Sequence, residues 1–191
     1  MDLLARAYDG FPLPPPDILP PEEAVLDLDR FRSVPLVAQP FPHLVVAGFI
    51  RPDAAAAARL AFPGFGFGGV VPAPSLDRMD GLAPAFAALL DGLRSPAVTA
   101  AFAGKFGVDL DPAALMVTLR DRCRPQDGRI HTDSDSKVVT ALLYLNETWT
   151  AEGGRLRLLR NGHDMDAVIA EIPPLDGTLV AFRRTDNSWH G

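Results

Sequence analysis

The stretch from Leu115 to Gly191, LMVTLRDRCRPQDGRIHTDSDSKVVTALLYLNETWTAEGGRLRLLRNGHDMDAVIAEIPPLDGTLVAFRRTDNSWHG, decides the fold. Its apolar residues recur with a period near two in short runs: Leu115 to Arg122, Val138 to Leu145, Arg155 to Arg160, Ala167 to Ile172, Thr178 to Arg183, and from Ser188 onward. Successive side chains of an extended chain point to opposite faces, so each run reads as a short β-strand. Asn161-Gly162 supplies turn chemistry between two of them, although the connection from Asn161 to Asp166 is longer than a two-residue hairpin.

Upstream of Leu115 the pattern is helical. His43 to Ile50 is apolar and branched and predicts a strand, after which Arg51-Pro52-Asp53 opens an alanine-rich helix to about Ala61. Leu82, Phe86, Leu89, Leu90 and Leu93 recur at helical spacing within Gly81 to Leu93. Ser95-Pro96 is an N-cap followed by a first-turn proline, opening a helix to about Phe106. Residues 1–40 are rich in proline, which removes backbone donors and restrains its neighbours, and predict an extended arm with a short helix around Glu22 to Arg30. Helices followed by a series of strands indicate an α+β domain, and strands this short and numerous favour a barrel or two-sheet roll over a doubly wound sheet. The expected organisation is one domain over residues 1–191: the arm, helical support over 41–114, and strands over 115–191.

Composition narrows the function classes. With 191 residues, 48% hydrophobic and 22% charged, the chain can bury a core, and 19 Pro with 16 Gly fall short of a low-complexity composition. The single cysteine, Cys123, excludes an intramolecular disulfide and a thiolate-held structural zinc, and a reducing, cytoplasmic compartment is expected. A net charge of −6 without a basic cluster argues against nucleic acid as a partner. No segment reads as a signal peptide or a membrane span, because the longest uncharged stretches are broken by proline or glycine.

Several motifs have bland readings that win. Gly64-Phe65-Gly66-Phe67-Gly68-Gly69 matches a dinucleotide fingerprint literally, but Pro63 precedes it and Val70-Val71-Pro72 follows it, where a strand and a helix are required. It reads as an irregular aromatic loop. Cys123 lacks any nucleophile signature that would pair it with His131 as base, and His43 and His163 read as solvated loop residues. His131 and Asp133 differ: two positions apart in an extended chain, they project to one side and can share a metal, with Asp135 the second choice of carboxylate. Alone, a His-Thr-Asp loop reads more often as a solvated turn. His190, beside Trp189 at the end of the strand series, adds a second imidazole. Two imidazoles and one carboxylate, leaving a face open, form the ligand set of non-haem Fe(II) oxygenases, while the helical H-E-x-x-H form of the competing zinc chemistry is missing.

HTDSDSKVVTALLYLNETW, EGGRLRLL, IPPLDGTLVAF and SWHG together resemble the Fe(II)- and 2-oxoglutarate-dependent oxygenases of the prolyl 4-hydroxylase-like group. The resemblance covers Leu115 to Gly191 well and the helices more loosely. It implies a double-stranded β-helix, or jelly roll, with supporting helices on one face, and implies that His131, Asp133 and His190 ligate iron. It also implies a hydroxylase that uses Fe(II), 2-oxoglutarate and O₂ on a peptide or small-molecule substrate. Strand parity supplies the candidate cosubstrate pocket. Leu115, Val117 and Leu119 form one face of their run, suited to the helices, and Met116, Thr118, Arg120 and Arg122 the other; Thr140 and Tyr144 share a face of the next. Thr140, Tyr144, Arg120 and Arg122 are the candidate 2-oxoglutarate contacts, with a local salt bridge to Asp121, Asp127 or Asp133 as the alternative role for either arginine.

The sequence departs from the family in one respect. The group places an Arg or Lys about ten residues past the distal histidine to pair with the far carboxylate of the oxo acid, and here one residue follows His190. The expectation is a continuation by one strand of roughly 10 to 15 residues carrying a base. Substitution of that base by Arg120, Arg122 or Lys137, or a reaction without 2-oxoglutarate, are the alternatives. The competing functions are a non-catalytic jelly-roll binding module that keeps the triad and a cupin-like metalloenzyme that uses no oxo acid.

Overall fold

The computed structural model describes residues 24–66, 68–73 and 81–191. The expected arm up to residue 23, the first residues of the helix expected from Glu22, and Phe67 of the glycine loop lie outside them. The described helices are α1 (Leu28–Ser33), α2 (Pro52–Leu60), α3 (Pro84–Leu93) and α4 (Pro96–Phe106). The strands are β1 (His43–Val46), β2 (Val71–Pro72), β3 (Thr118–Leu119), β4 (Val139–Leu143), β5 (Leu156–Leu159), β6 (Val168–Ile172) and β7 (Leu179–Arg183). Helices and antiparallel sheets make up an α+β architecture.

Local chemistry sets the ends of these elements. In α4 the Ser95 hydroxyl accepts the Val98 amide at 3.3 Å, and Gly107 stops the helix in the left-handed region at φ 61°. The helix expected around Glu22 to Arg30 is interrupted: Ala24 and Val25 are helical, Leu26 is held extended against Ile50, and α1 restarts at Leu28, where the Asp27 carboxylate accepts the Arg30 amide at 2.8 Å. Strand β1 stops at Val46, four residues short of the expected Ile50. Beyond it the chain turns so that the amides of Phe49 and Ile50 both donate to the Gly177 carbonyl. Gly177, at φ 69°, lies so close that a Cβ there would stand 2.9 Å from the Ile50 carbonyl oxygen.

β7 is the centre of the main sheet, in the order β1-β7-β4, with Leu44 opposite Ala181 and Leu142 opposite Val180. Leu179, Val180, Ala181 and Phe182 are all buried because both faces of this strand are covered. On one face Leu44, Val46, Leu179 and Ala181 pack against Phe31, Phe86, Leu90 and Phe102 of the helices. On the other, Val180 and Phe182 meet Phe41, Leu158 and Ile172. Burial of these apolar side chains supplies about 1.5–3 kcal/mol each relative to exposure, so the helical layer and the second sheet both stabilise β7.

The second sheet starts as the antiparallel pair β5-β6 and grows by hydrogen bonding. The amides of Arg157 and Leu159 donate to the carbonyls of Gly191 and Trp189, and His190 in turn pairs antiparallel with His131. The run expected from Ser188 is therefore a short strip between β5 and His131. Two sheets thus face one another with an apolar layer between them.

The expected strand Leu115 to Arg122 forms only at Thr118–Leu119, paired with β2. Leu119 is buried and Val117 packs beside it, as the parity predicts, but Leu115 is half exposed and Met116 is 72% exposed. Past Leu119 the chain bends, because Asp121 accepts the amides of Phe65 and Gly66 at 3.1 and 2.7 Å and Arg120 turns to Asp127. Those contacts come from the glycine loop and from a later short helical turn, so they outcompete strand pairing that local alternation favours.

Candidate metal centre

Backbone pairing brings the two histidines together. The His131 amide donates to the His190 carbonyl at 2.9 Å, and the His190 amide returns the bond to His131 at 3.0 Å. Directly paired residues of an antiparallel ladder project their side chains to one side, and the ring centroids stand 4.2 Å apart. Asp133 is two residues from His131 and shares its side. One donor atom from each of His131, Asp133 and His190 lies within 4.8 Å of the others.

Each ring is oriented from behind. Nδ1 of His131 donates to the Arg129 carbonyl at 2.8 Å, and Nδ1 of His190 to the Ser188 carbonyl at 3.0 Å. A carbonyl only accepts, so Nδ1 carries the proton and Nε2 offers its lone pair, the arrangement typical of metal-binding imidazoles. Burial lowers the pKa of His190, favouring its neutral, ligating form. Burial pushes the Asp133 carboxyl up, but hydrogen bonds from Lys137 Nζ at 2.6 Å and Thr140 Oγ1 at 2.5 Å outweigh it and hold the group below the usual carboxylate range. Two imidazoles and one ionised carboxylate fit a divalent cation of intermediate softness.

The remaining candidates are placed as follows. Asp135 lies outside the cluster and pairs with Arg184, leaving Asp133 as the carboxylate of the site. The Thr140 hydroxyl is engaged by Asp133, where sequence parity suggested a cosubstrate contact. Tyr144 sits between the two sheets, and its phenol is pushed up to about 12 by burial and by the Cys123 thiol, against the opposing charge of Arg120. Arg120 donates to Asp127 at 2.7 Å, the alternative its neighbourhood offered, and the Arg122 side chain is exposed. His163 is exposed, in the turn where the Asn161 side chain accepts the amides of His163 and Asp164. His43 is not the solvated residue its position suggested: it is buried, with Nδ1 on the Phe41 carbonyl at 2.8 Å. Its place opposite Phe182 in the β1-β7 register is the cause, and nothing in the local sequence signals that pairing.

Residues 120–191 match the description of the 2OG-Fe(II) oxygenase superfamily. The matched segment contains all three residues of the cluster. The chain is also similar to a crystal structure of a Pseudomonas putida prolyl-4-hydroxylase, at 20% identity and a TM-score of 0.43, over 85% of this chain and 82% of the other. Among curated proteins no match was found. No described helix is long and apolar enough to cross a membrane.

Proposed function

We propose that His131, Asp133 and His190 hold Fe(II) in a 2-oxoglutarate-dependent dioxygenase that hydroxylates a C–H bond of a peptide or small-molecule substrate. The observation that carries this reading is the convergence of two outward-facing Nε2 atoms and one ionised carboxylate within 4.8 Å. The two facing sheets are read as the halves of a double-stranded β-helix, with the triad where His131 and the strip 189–191 join the second half.

When bound, iron and 2-oxoglutarate couple oxidative decarboxylation of the oxo acid to substrate oxidation by O₂, yielding succinate, CO₂ and hydroxylated product. The chain's own residues orient and enclose. The carbonyls of Arg129 and Ser188 fix the imidazoles, while Lys137 and Thr140 fix the carboxylate. Tyr144, protonated across the physiological range, offers an O–H donor from between the sheets, and Arg120, whose charge reaches that phenol, would have to leave Asp127 to meet a dicarboxylate. His190 is buried and His131 exposed, so the site opens to solvent on the His131 side.

Mn(II) substituting for iron tests the assignment. It should raise the melting temperature of the protein, since a ligand at 100 times its Kd adds about 2.7 kcal/mol of stability. His131→Ala and Asp133→Ala should each abolish the shift, and N-oxalylglycine should bind only in the presence of Mn(II). An undiminished shift in both variants removes the triad. Succinate release with Fe(II) and 2-oxoglutarate separates an enzyme from a binding module.

A further inference from the structure

The triad is assembled from two segments distant in sequence, the loop from His131 to Asp135 and the turn from Arg184 to Ser188. One side chain touches both. Arg184 follows β7 directly, and its backbone amide donates to the Val138 carbonyl at 2.9 Å. Its guanidinium donates through Nε to the Asp133 carbonyl at 3.3 Å, through Nη2 to the Asp135 carboxylate, and through Nη1 to Asp186 at 2.8 Å.

An exposed arginine pair contributes little, because solvent screens it and two long side chains must be ordered. This arginine is different. Its side chain is only 19% exposed, and the rigid guanidinium fork presents donors to three oxygens at once. Asp135 and Asp186 are 89% and 95% exposed, so packing does not hold these carboxylates and the shared guanidinium is what locates them. The turn that Arg184 opens then closes on itself: the Thr185 amide donates to the Ser188 hydroxyl at 3.1 Å, and that hydroxyl donates to the Thr185 carbonyl at 2.8 Å. The Ser188 carbonyl at the far end of this turn accepts Nδ1 of His190. One guanidinium therefore connects the backbone of Asp133 to the turn that aims His190.

We propose that Arg184 is a positioning residue that sets the separation of Asp133 from His190, so that metal affinity depends on a side chain that contacts no metal-binding atom. The inference rests on the triad being the metal site. Supporting groups behind ligands typically affect metal affinity by about 10- to 100-fold, and a group that holds both halves of a site belongs in that range.

Calorimetry with Mn(II) on the full chain, alongside thermal melts in chelator, tests it. Arg184→Gln should lower Mn(II) affinity about tenfold or more while melting in chelator as a folded protein. Arg184→Lys keeps the charge without the fork and should recover only part of the loss. The d–d absorption of Co(II) in Arg184→Gln should also shift from the wild-type spectrum, a signature that general loss of stability does not produce. If Arg184→Gln does not fold, Asp135→Ala decides, because it removes one of the two loop-side contacts of the clamp from an exposed position and leaves only the Asp133 carbonyl; a loss of at least threefold in Mn(II) affinity is expected. Wild-type affinity and spectrum in folded Arg184→Gln, or in Asp135→Ala where that variant decides, overturn the positioning role alone. Failure of the wild type to bind Mn(II) better than His131→Ala overturns the triad assignment and the inference with it.

Discussion

Thr140→Val isolates the part of the metal centre that comes from the main sheet. The replacement is nearly isosteric and β-branched, so it suits the middle of β4 and leaves the pairing of residue 140 with Phe182 in place. What it removes is the 2.5 Å hydrogen bond to Asp133 Oδ2. Hydrogen bonds to charged groups contribute about 1.5–3 kcal/mol, which converts to roughly 10- to 150-fold in a binding constant. Lys137 still holds Oδ1, so the carboxylate stays in the site but is free to rotate about that single contact. Mn(II) affinity measured by calorimetry should therefore fall about tenfold or more. The Asp133 carboxyl also loses one of the two hydrogen bonds that keep it below its ordinary range, so the deficit should deepen as pH is lowered toward about 4, where protons compete better for the carboxylate. At saturating Mn(II), N-oxalylglycine should bind the variant within about twofold of wild type, because the hydroxyl is committed to Asp133. The opposite pattern, with Mn(II) affinity intact and N-oxalylglycine weakened, would show that the Thr140 hydroxyl serves the cosubstrate and would refute its role as a support for Asp133.

Tyr144 and Tyr8 are the two tyrosines of the chain, so a spectrophotometric titration of Tyr8→Phe reports Tyr144 alone. Its midpoint should lie near 12, and because the folded state then keeps a proton that the unfolded state has released, stability should fall by about 2–3 kcal/mol as pH rises from 10 to 12; a midpoint at 10 would remove the phenol from between the sheets. Gly162→Ala places a Cβ 2.8 Å from the Trp189 ring, beside His190. Overpacking of about 1–3 kcal/mol should lower the melting temperature by a few degrees and weaken Mn(II) binding with it, and wild-type values for both would separate the 161–166 turn from the site.

Local chemistry was legible where it is decided locally. Ser95-Pro96 marks the start of α4 because a cap and a first-turn proline act within one turn of helix, and the structure ends that helix at Phe106 as the spacing predicts. The shared side of His131 and Asp133 follows from the two-residue period of extended chain, and Asn161-Gly162 gives the turn its residues suggest. Contacts set by distant partners were not legible. The strand expected over Leu115 to Arg122 shrinks because Asp121 is taken by amides of the glycine loop and Arg120 by Asp127. His43 is buried because β1 joins the edge of a sheet whose centre is β7, far along the chain. The place of His190 beside His131 is suggested by the ligand set of two imidazoles and one carboxylate and then by family resemblance, since periodicity alone gives each strand a pattern without naming its neighbour.

The register of the main sheet explains why the triad needs so few side chains to hold it. His43, Phe182 and Thr140 lie in one row across β1, β7 and β4, on the face turned toward the second sheet. Phe182 in the middle of that row sets its ring tilted against the His190 ring, with centroids 4.7 Å apart, and Thr140 at its end bonds Asp133. His131 is held by backbone pairing with His190 and by the Arg129 carbonyl. The main sheet thus forms a floor under one imidazole and one carboxylate, and the second sheet carries the other imidazole at the rim. On the proposed assignment the coordination face would open on the side of His131, because the two residues tied to the floor are the buried and half-buried ones and His131 is exposed. A one-residue slip of β4 against β7 would turn Thr140 away from Asp133, and a slip of β7 itself would replace Phe182 beneath His190 with Ala181 or Arg183. Moving β7 by one residue would also carry the exposed Arg183 toward a buried face, so the packing that stabilises the sheet also fixes the geometry of the proposed metal centre.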